Sequence, residues 1–149
     1  MKKLFLFVIA FLYVQSSHAQ KPVYDSILAK KLNADEYGMK KYVLVLIKTG
    51  TNTTKDKKVL DSLFRGHMTN INNLANEGKL AVAGPFEKND KYRGIFIFNV
   101  ETVEEAKILC EKDPAISAKL FDVDILPWYG SAALLETNQI HKTIEKTSH

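Results

Sequence analysis

Tyr42-Val43-Leu44-Val45-Leu46-Ile47 decides the fold. Six apolar residues in a row leave no polar face, so the segment reads as a strand buried on both sides. The next stretch has a different period. Gly50 to Thr54 is a polar turn, and Thr53 with Asp56 three residues later resembles a capping box. A long helix then spans roughly Lys55 to Asn76, with Gly78 as its stop. Leu60, Phe64, Ile71 and Leu74 recur at three- and four-residue spacing, which is one face of that helix. His67 interrupts the apolar face. An imidazole turned toward a core needs a partner, or a cavity that supplies one.

Downstream the alternation continues. Leu80 to Ala83 is a second strand, ended by Gly84-Pro85. After the charged loop Lys88 to Lys91, Gly94 to Val100 is a third, with Ile95, Phe96, Ile97 and Phe98 filling both sides. Thr102 caps a second helix, and Glu104 and Glu105 sit in its first turn, where the helix dipole favours negative charge. Asp113-Pro114 ends that helix and starts a short helical turn through Lys119. Phe121 to Leu126 is the fourth strand, alternating Phe121, Val123 and Ile125 with Asp122 and Asp124. Strand, helix, strand, strand, helix, strand is the split βαβ order (βαββαβ), an α+β fold with both helices on one face of an antiparallel sheet. The other face has to be covered, since soluble proteins avoid a bare apolar sheet. A second copy facing the first covers it, which predicts a homodimer.

The ends of the chain read differently. Met1 to Lys3 is basic, Leu4 to Val14 is unbroken apolar sequence, and Ser17-His18-Ala19 places small residues before a cut. This is the layout of a secretory signal peptide over 1–19, cleaved after Ala19; the alternative is a buried N-terminal element. The apolar run is about half of the roughly 20 residues that span a bilayer, so no permanent membrane anchor is expected. Export, to the periplasm or beyond, is the expectation. A helical extension follows over 20–40, where Tyr24, Ile27, Leu28 and Leu32 keep helical spacing and Gly38 can close the helix. The main domain covers 41–130. The tail, 131–149, starts with a short apolar coda from Ser131 to Glu136; from Asn138 it is polar and expected to be disordered.

Composition excludes several classes. The net charge of +4 falls to +2 without Lys2 and Lys3. The lysines are scattered and no basic stripe with interleaved aromatics occurs, so nucleic acid is not an expected partner. Cys110 is the only cysteine, so no intrachain disulfide can form. It follows Val103, Ala106 and Leu109 on an apolar helix side and reads as a small buried hydrophobe rather than a nucleophile. Asp122 and Asp124 share a strand face, but no histidine or cysteine at ligand spacing supports a metal site. There is no phosphate-binding glycine loop, no Ser-His-Asp elbow and no zinc motif. No cofactor is expected.

Several motifs come in a familiar order. Arg65-Gly66-His67-Met68, Gly78-Lys79-Leu80, Gly84-Pro85-Phe86, Gly94, Glu104-Glu105-Ala106 and Asp113-Pro114 are arranged as in the YciI-like (YCII-related) family. The likeness covers about Lys41 to Tyr129, and the N-terminal helix and Pro127-Trp128-Tyr129-Gly130 look like those of secreted bacterial members. The resemblance implies a ferredoxin-like domain pairing into a dimeric α/β barrel. One branch of the family resembles a dehydrochlorinase acting on a chlorinated hydroxyquinol, and the wider superfamily includes muconolactone isomerases. The family's proposed active pair falls here on His67 and Asp113. The signal peptide expected here departs from the family's cytoplasmic members.

Both helices lie on one sheet face, so His67 and Asp113 can meet. An aspartate bonded to one ring nitrogen fixes the tautomer and raises the basicity of the other. His67 is then a general acid or base and Asp113 its orienting partner; the plain alternatives are a core histidine bonded to a backbone carbonyl and an aspartate that caps a helix ahead of Pro114. Gly84 and Pro85 either let a ligand approach the backbone or form an ordinary strand-end turn. Arg65 either holds an anionic substrate at the pocket rim or is solvated. Trp128 either lines a pocket for a flat ring or packs at a contact. Two functional readings follow. One is a cofactor-independent enzyme for elimination or isomerisation of a small molecule. The other is a non-catalytic dimeric module that binds a ligand.

Overall fold

The computed structural model describes residues 23–88 and 91–147. The expected signal peptide, 1–19, lies outside the described residues. The sheet is the frame: β1 (Met39–Thr49), β2 (Leu80–Pro85), β3 (Tyr92–Phe98) and β4 (Phe121–Ser131) lie in the order β2-β3-β1-β4. Every neighbouring pair is antiparallel. The helices are α1 (Ser26–Lys31), α2 (Lys57–Asn76), α3 (Val103–Glu111), α4 (Pro114–Ser117) and α5 (Thr137–Ile144), with a 3-10 turn at Ala132–Glu136 before α5. From β1 to β4 this is the ferredoxin-like order expected from the sequence.

One sheet face carries the main core. Val43, Val45 and Ile47 of β1 and Phe96 and Phe98 of β3 pack with Leu74 of α2, Ala106, Leu109 and Cys110 of α3, and Ile116 of α4. Phe121, Val123 and Ile125 complete it from β4. The alternation that puts these residues on one side puts Tyr42, Leu44, Leu46 and Lys48 on the other. Their partners in the ladder are Trp128, Leu126, Asp124 and Asp122. The tail covers one end of this second face: Leu134 and Leu135 of the 3-10 turn, with Trp128, pack on Tyr42, Ala81 and Ile97. At the opposite end Lys48 Nζ lies 2.6 Å from Asp124 and 3.7 Å from Asp122. One lysine therefore pairs with both strand-face carboxylates, most closely with Asp124.

Several boundaries differ from the sequence reading, each for a local reason. The cap of α2 is Asp56, which accepts from the N–H groups of Lys58 and Val59, rather than Thr53. β4 runs past Leu126 to Ser131 through Pro127, because an edge strand loses no ladder bond to the missing N–H. Helix α1 ends before Asn33, which takes the left-handed conformation (φ 52°), while Gly38 (φ 73°) turns the chain into β1. The expected apolar stripe of α1 buries only Leu32; Tyr24 and Ile27 stand in solvent. The tail is the largest correction. Where disorder is expected from Asn138 onward, α5 forms, and Asn138 donates to the Leu80 carbonyl (2.6 Å) and Lys142 to Asn76 (3.0 Å). β2 is an edge strand, and Asn138 binds one of its carbonyls.

Candidate functional site

His67 is set in place by its helix and by one contact. Asp56 starts α2, and Gly78 in the left-handed conformation (φ 70°) lets the chain leave it. Ile71 and Leu74 pack on the sheet, and His67, one and two turns earlier, faces the same way. Gly66 makes the crossing with α4 possible. A Cβ there would stand 2.7 Å from Pro114 Cγ. The absent side chain lets α4 press on α2.

Asp113 is delivered by the break between α3 and α4. Its N–H closes a turn on the Cys110 carbonyl (3.0 Å), and its Oδ1 caps α4, accepting from Ala115 N–H (2.9 Å) and Ile116 N–H (3.3 Å). The helix cap is thus observed. The other oxygen, Oδ2, is 2.8 Å from His67 Nδ1 and accepts from Asn70 Nδ2 at 3.2 Å. Capping and histidine pairing are done by one carboxylate, one oxygen each. An ionised carboxylate only accepts, so with Asp113 in that form the hydrogen of this bond is carried by Nδ1.

The Asp113 side chain is fully buried, whereas that of His67 keeps 11% of its surface. No buried side-chain nitrogen or oxygen among the described residues lacks a partner. His67 is hydrogen-bonded through Nδ1, so Nε2 is the nitrogen that reaches the surface. The ring is edge-on to Phe121 (centroids 5.3 Å, 64°) and tilted over Phe96 (5.8 Å, 30°), and Phe121 in turn meets Phe64 (5.9 Å, 75°). Phe64 is half-exposed, which leaves an aromatic rim beside the imidazole. The charge of Asp113 also acts on Cys110: burial first, then this carboxylate, pushes the thiol up to about 12. Cys110 is a buried, inert thiol.

The other expected site residues are not gathered here. Arg65 lies on the outer stripe of α2, in a shallow hollow of about 500 Å³ with Asp61, Phe64, Met68, Thr69 and Asn72. That hollow contains neither His67 nor Asp113. Trp128 is on the opposite sheet face, against Tyr42 (centroids 5.7 Å) and folded over Gly130, whose Cβ position lies 2.2 Å from the ring. It therefore serves the second cluster and not the pair. Gly84 has open space where a Cβ would be; across the ladder Gly94 is crowded, since its Cβ would meet the Gly84 carbonyl oxygen at 2.6 Å. No hydrogen bond or ring contact described links Gly84 or Pro85 to His67. Among the described residues no cluster of three histidine, cysteine or acidic side chains is placed to hold a metal ion, and no helix is long and apolar enough to cross a membrane. Asn70, Phe96 and Phe121 were missed in the sequence. Asn70 was within reach, because three residues after His67 is the same helix face.

Fold and site together define a ferredoxin-like α+β domain with a buried, hydrogen-bonded histidine–aspartate pair. Residues 41–129 match the model of the YCII-related domain, and the chain belongs to that family. Among solved structures, a 5-chloro-2-hydroxyhydroquinone dehydrochlorinase from Burkholderia phenoliruptrix AC1100, in complex with 2,5-dihydroxybenzoquinone, is 22% identical. The match covers 57% of this chain and 92% of that one, with a TM-score of 0.43. No curated protein is similar enough to count as a match.

Proposed function

We propose that the protein is an exported small-molecule enzyme that moves a proton with His67 and Asp113, in an elimination or an isomerisation without a cofactor. The observation that supports this reading is the 2.8 Å bond from Nδ1 to a carboxylate, made by a ring whose other nitrogen is open. With hydrogen held on Nδ1, Nε2 carries the free lone pair. A substrate C–H brought to Nε2 gives its proton to the ring, and Asp113 stabilises the imidazolium that results. In an isomerisation the proton returns to a different substrate atom. In an elimination the leaving group departs with its electron pair and the proton goes to water. A positioned acid–base group of this kind contributes roughly 10²–10⁴-fold. Phe64 and Phe121 form an apolar rim suited to a flat ring. Arg65, on the far side of Phe64, belongs to the reading only where an anionic substrate extends over that ring.

Export rests on the N-terminal sequence. The homodimer rests on the part of the second sheet face that the tail leaves uncovered, where Leu46 and Ile95 are half-buried and Leu126 is exposed. The test starts with a panel of small aromatic acids, hydroxylated aromatics and lactones, read by thermal shift on the wild type and on His67→Gln. Ligands that stabilise the wild type are then incubated with it in D₂O. Deuterium entering the ligand, or its conversion, in the wild type and not in His67→Gln supports the reading. Binding with no exchange and no conversion overturns it and leaves a ligand-binding module.

A further inference from the structure

Asp113 Oδ2 receives two side chains, and only one belongs to the pair described above. The second is Asn70, half-buried on α2, whose amide Nδ2 donates to it at 3.2 Å. We propose that Asn70 is a positioning residue: by occupying the remaining lone pair of Oδ2, it fixes the hydrogen of His67 on Nδ1 and leaves Nε2 as the basic atom. This deepens the acid–base reading of the site and rests on it.

The argument is one of lone pairs. A carboxylate offers about four acceptor positions, two on each oxygen. On Oδ1 both are taken by the N–H groups of Ala115 and Ile116. On Oδ2 one is taken by His67 Nδ1. Without Asn70 the fourth position would be open to water, or to a turn of the carboxylate that carries Oδ2 away from the ring. The amide closes it. An oxygen that already accepts a second hydrogen bond is also a poorer destination for the ring's own proton. Asp113 then orients the imidazole and stabilises its charge, and the Nδ1 hydrogen stays on nitrogen during turnover. The helix makes the arrangement geometric: residues three apart on α2 share a face, so His67 and Asn70 reach one oxygen from the same element. A backbone clamp on Oδ1 and a two-residue clamp on Oδ2 hold the group from two directions.

The test needs no substrate. The ring nitrogens of His67 are observed by ¹⁵N NMR in the ligand-free full-length protein, with the ring neutral. The wild type is expected in the Nδ1–H form with slow exchange of that hydrogen. In Asn70→Ala the ratio of the Nδ1–H to the Nε2–H form falls by about tenfold and exchange with water quickens by a similar factor, the effect of one lost hydrogen bond. A merely structural link between α2 and α4 would leave tautomer and exchange unchanged in a folded variant, and that result overturns the proposal while leaving the pair intact. A wild type in the Nε2–H form overturns the acid–base reading itself. Should alanine unfold the chain, Asn70→Leu keeps the volume without the amide and is read in the same way. If neither variant folds, Asn70 is a folding residue and the proposal falls.

Discussion

Replacing Gly66 by alanine sets two opposed effects against each other, and the structure says which prevails. Gly66 is inside α2, where glycine to alanine ordinarily gains about 1 kcal/mol from helix propensity. Here the new methyl would stand 2.7 Å from Pro114 Cγ and 3.1 Å from its Cβ. Carbon atoms in contact prefer about 3.5–4.0 Å, so α4 must retreat by about 1 Å. α4 cannot do so freely, because Ala115 and Ile116 are buried and Asp113 caps it. Overpacking of this kind costs roughly 1–3 kcal/mol, which exceeds the propensity gain. The retreat also carries Asp113 away from His67. Adding about 1 Å to the 2.8 Å separation puts it past the limit for a hydrogen bond. Urea unfolding of the wild type, Gly66→Ala and the exposed-helix control Ser62→Ala measures the balance. The expected result is a Gly66→Ala variant less stable by up to about 2 kcal/mol and a control slightly more stable than the wild type, with the Nδ1–H signal of His67 lost only in the former. A Gly66→Ala protein that gains about 1 kcal/mol and keeps that signal would refute the idea that this glycine sets the distance between the two helices.

Other expectations follow from the same geometry. Asparagine caps helices about as well as aspartate, so Asp113→Asn should keep α4 and move stability by no more than about 1 kcal/mol. It removes the charge facing the imidazolium, so turnover of any substrate found by the ligand panel should drop by about 100-fold or more; an unchanged rate would free Asp113 of that role. Cys110 should resist thiol reagents in the native protein and react at the rate of unfolding. Its ordinary value is 9.0 and its folded value about 12. Above pH 9 the unfolded chain therefore loses a proton that the folded chain keeps, and this group lowers stability steadily as pH rises toward 12. Cys110→Ala should remove that part of the alkaline slope, as seen in unfolding midpoints across the range. Gly94→Ala would drive a methyl to 2.6 Å from the Gly84 carbonyl oxygen, a backbone atom that cannot swing aside. The β2–β3 ladder should open at that end, seen as faster hydrogen exchange at the Phe86 amide, which is bonded to the Arg93 carbonyl.

The parts of the fold legible in the sequence are those set by local periodicity. The apolar runs at 42–47 and 94–100 place β1 and β3, and the three-and-four spacing from Leu60 to Leu74 places α2 with His67 inward. Asp113-Pro114 announces a cap, and the cap is there. What local pattern misled about was chain docked by distant partners. Residues from Asn138 onward are polar and look unstructured until the Leu80 carbonyl, nearly sixty residues earlier, supplies an acceptor. Trp128, read as a possible pocket wall, is assigned to the other sheet face by its ladder position opposite Tyr42. Arg65 is two residues from His67 and for that reason faces another way on the helix.

The amino-acid order alone determined the strands and helices, their sequence along the chain, and which side of α2 the imidazole occupies, because hydrophobic period and capping chemistry act over a few residues. The 2.8 Å meeting of His67 with Asp113, forty-six positions away, was decided by tertiary structure. It depends on how closely α2 and α4 pack, which the missing side chain of Gly66 permits. The carboxylate's division of labour, with Oδ1 on the helix cap and Oδ2 shared by His67 and Asn70, exists only once three separate segments are in contact, since a hydrogen bond is a property of distance and angle that no single segment carries.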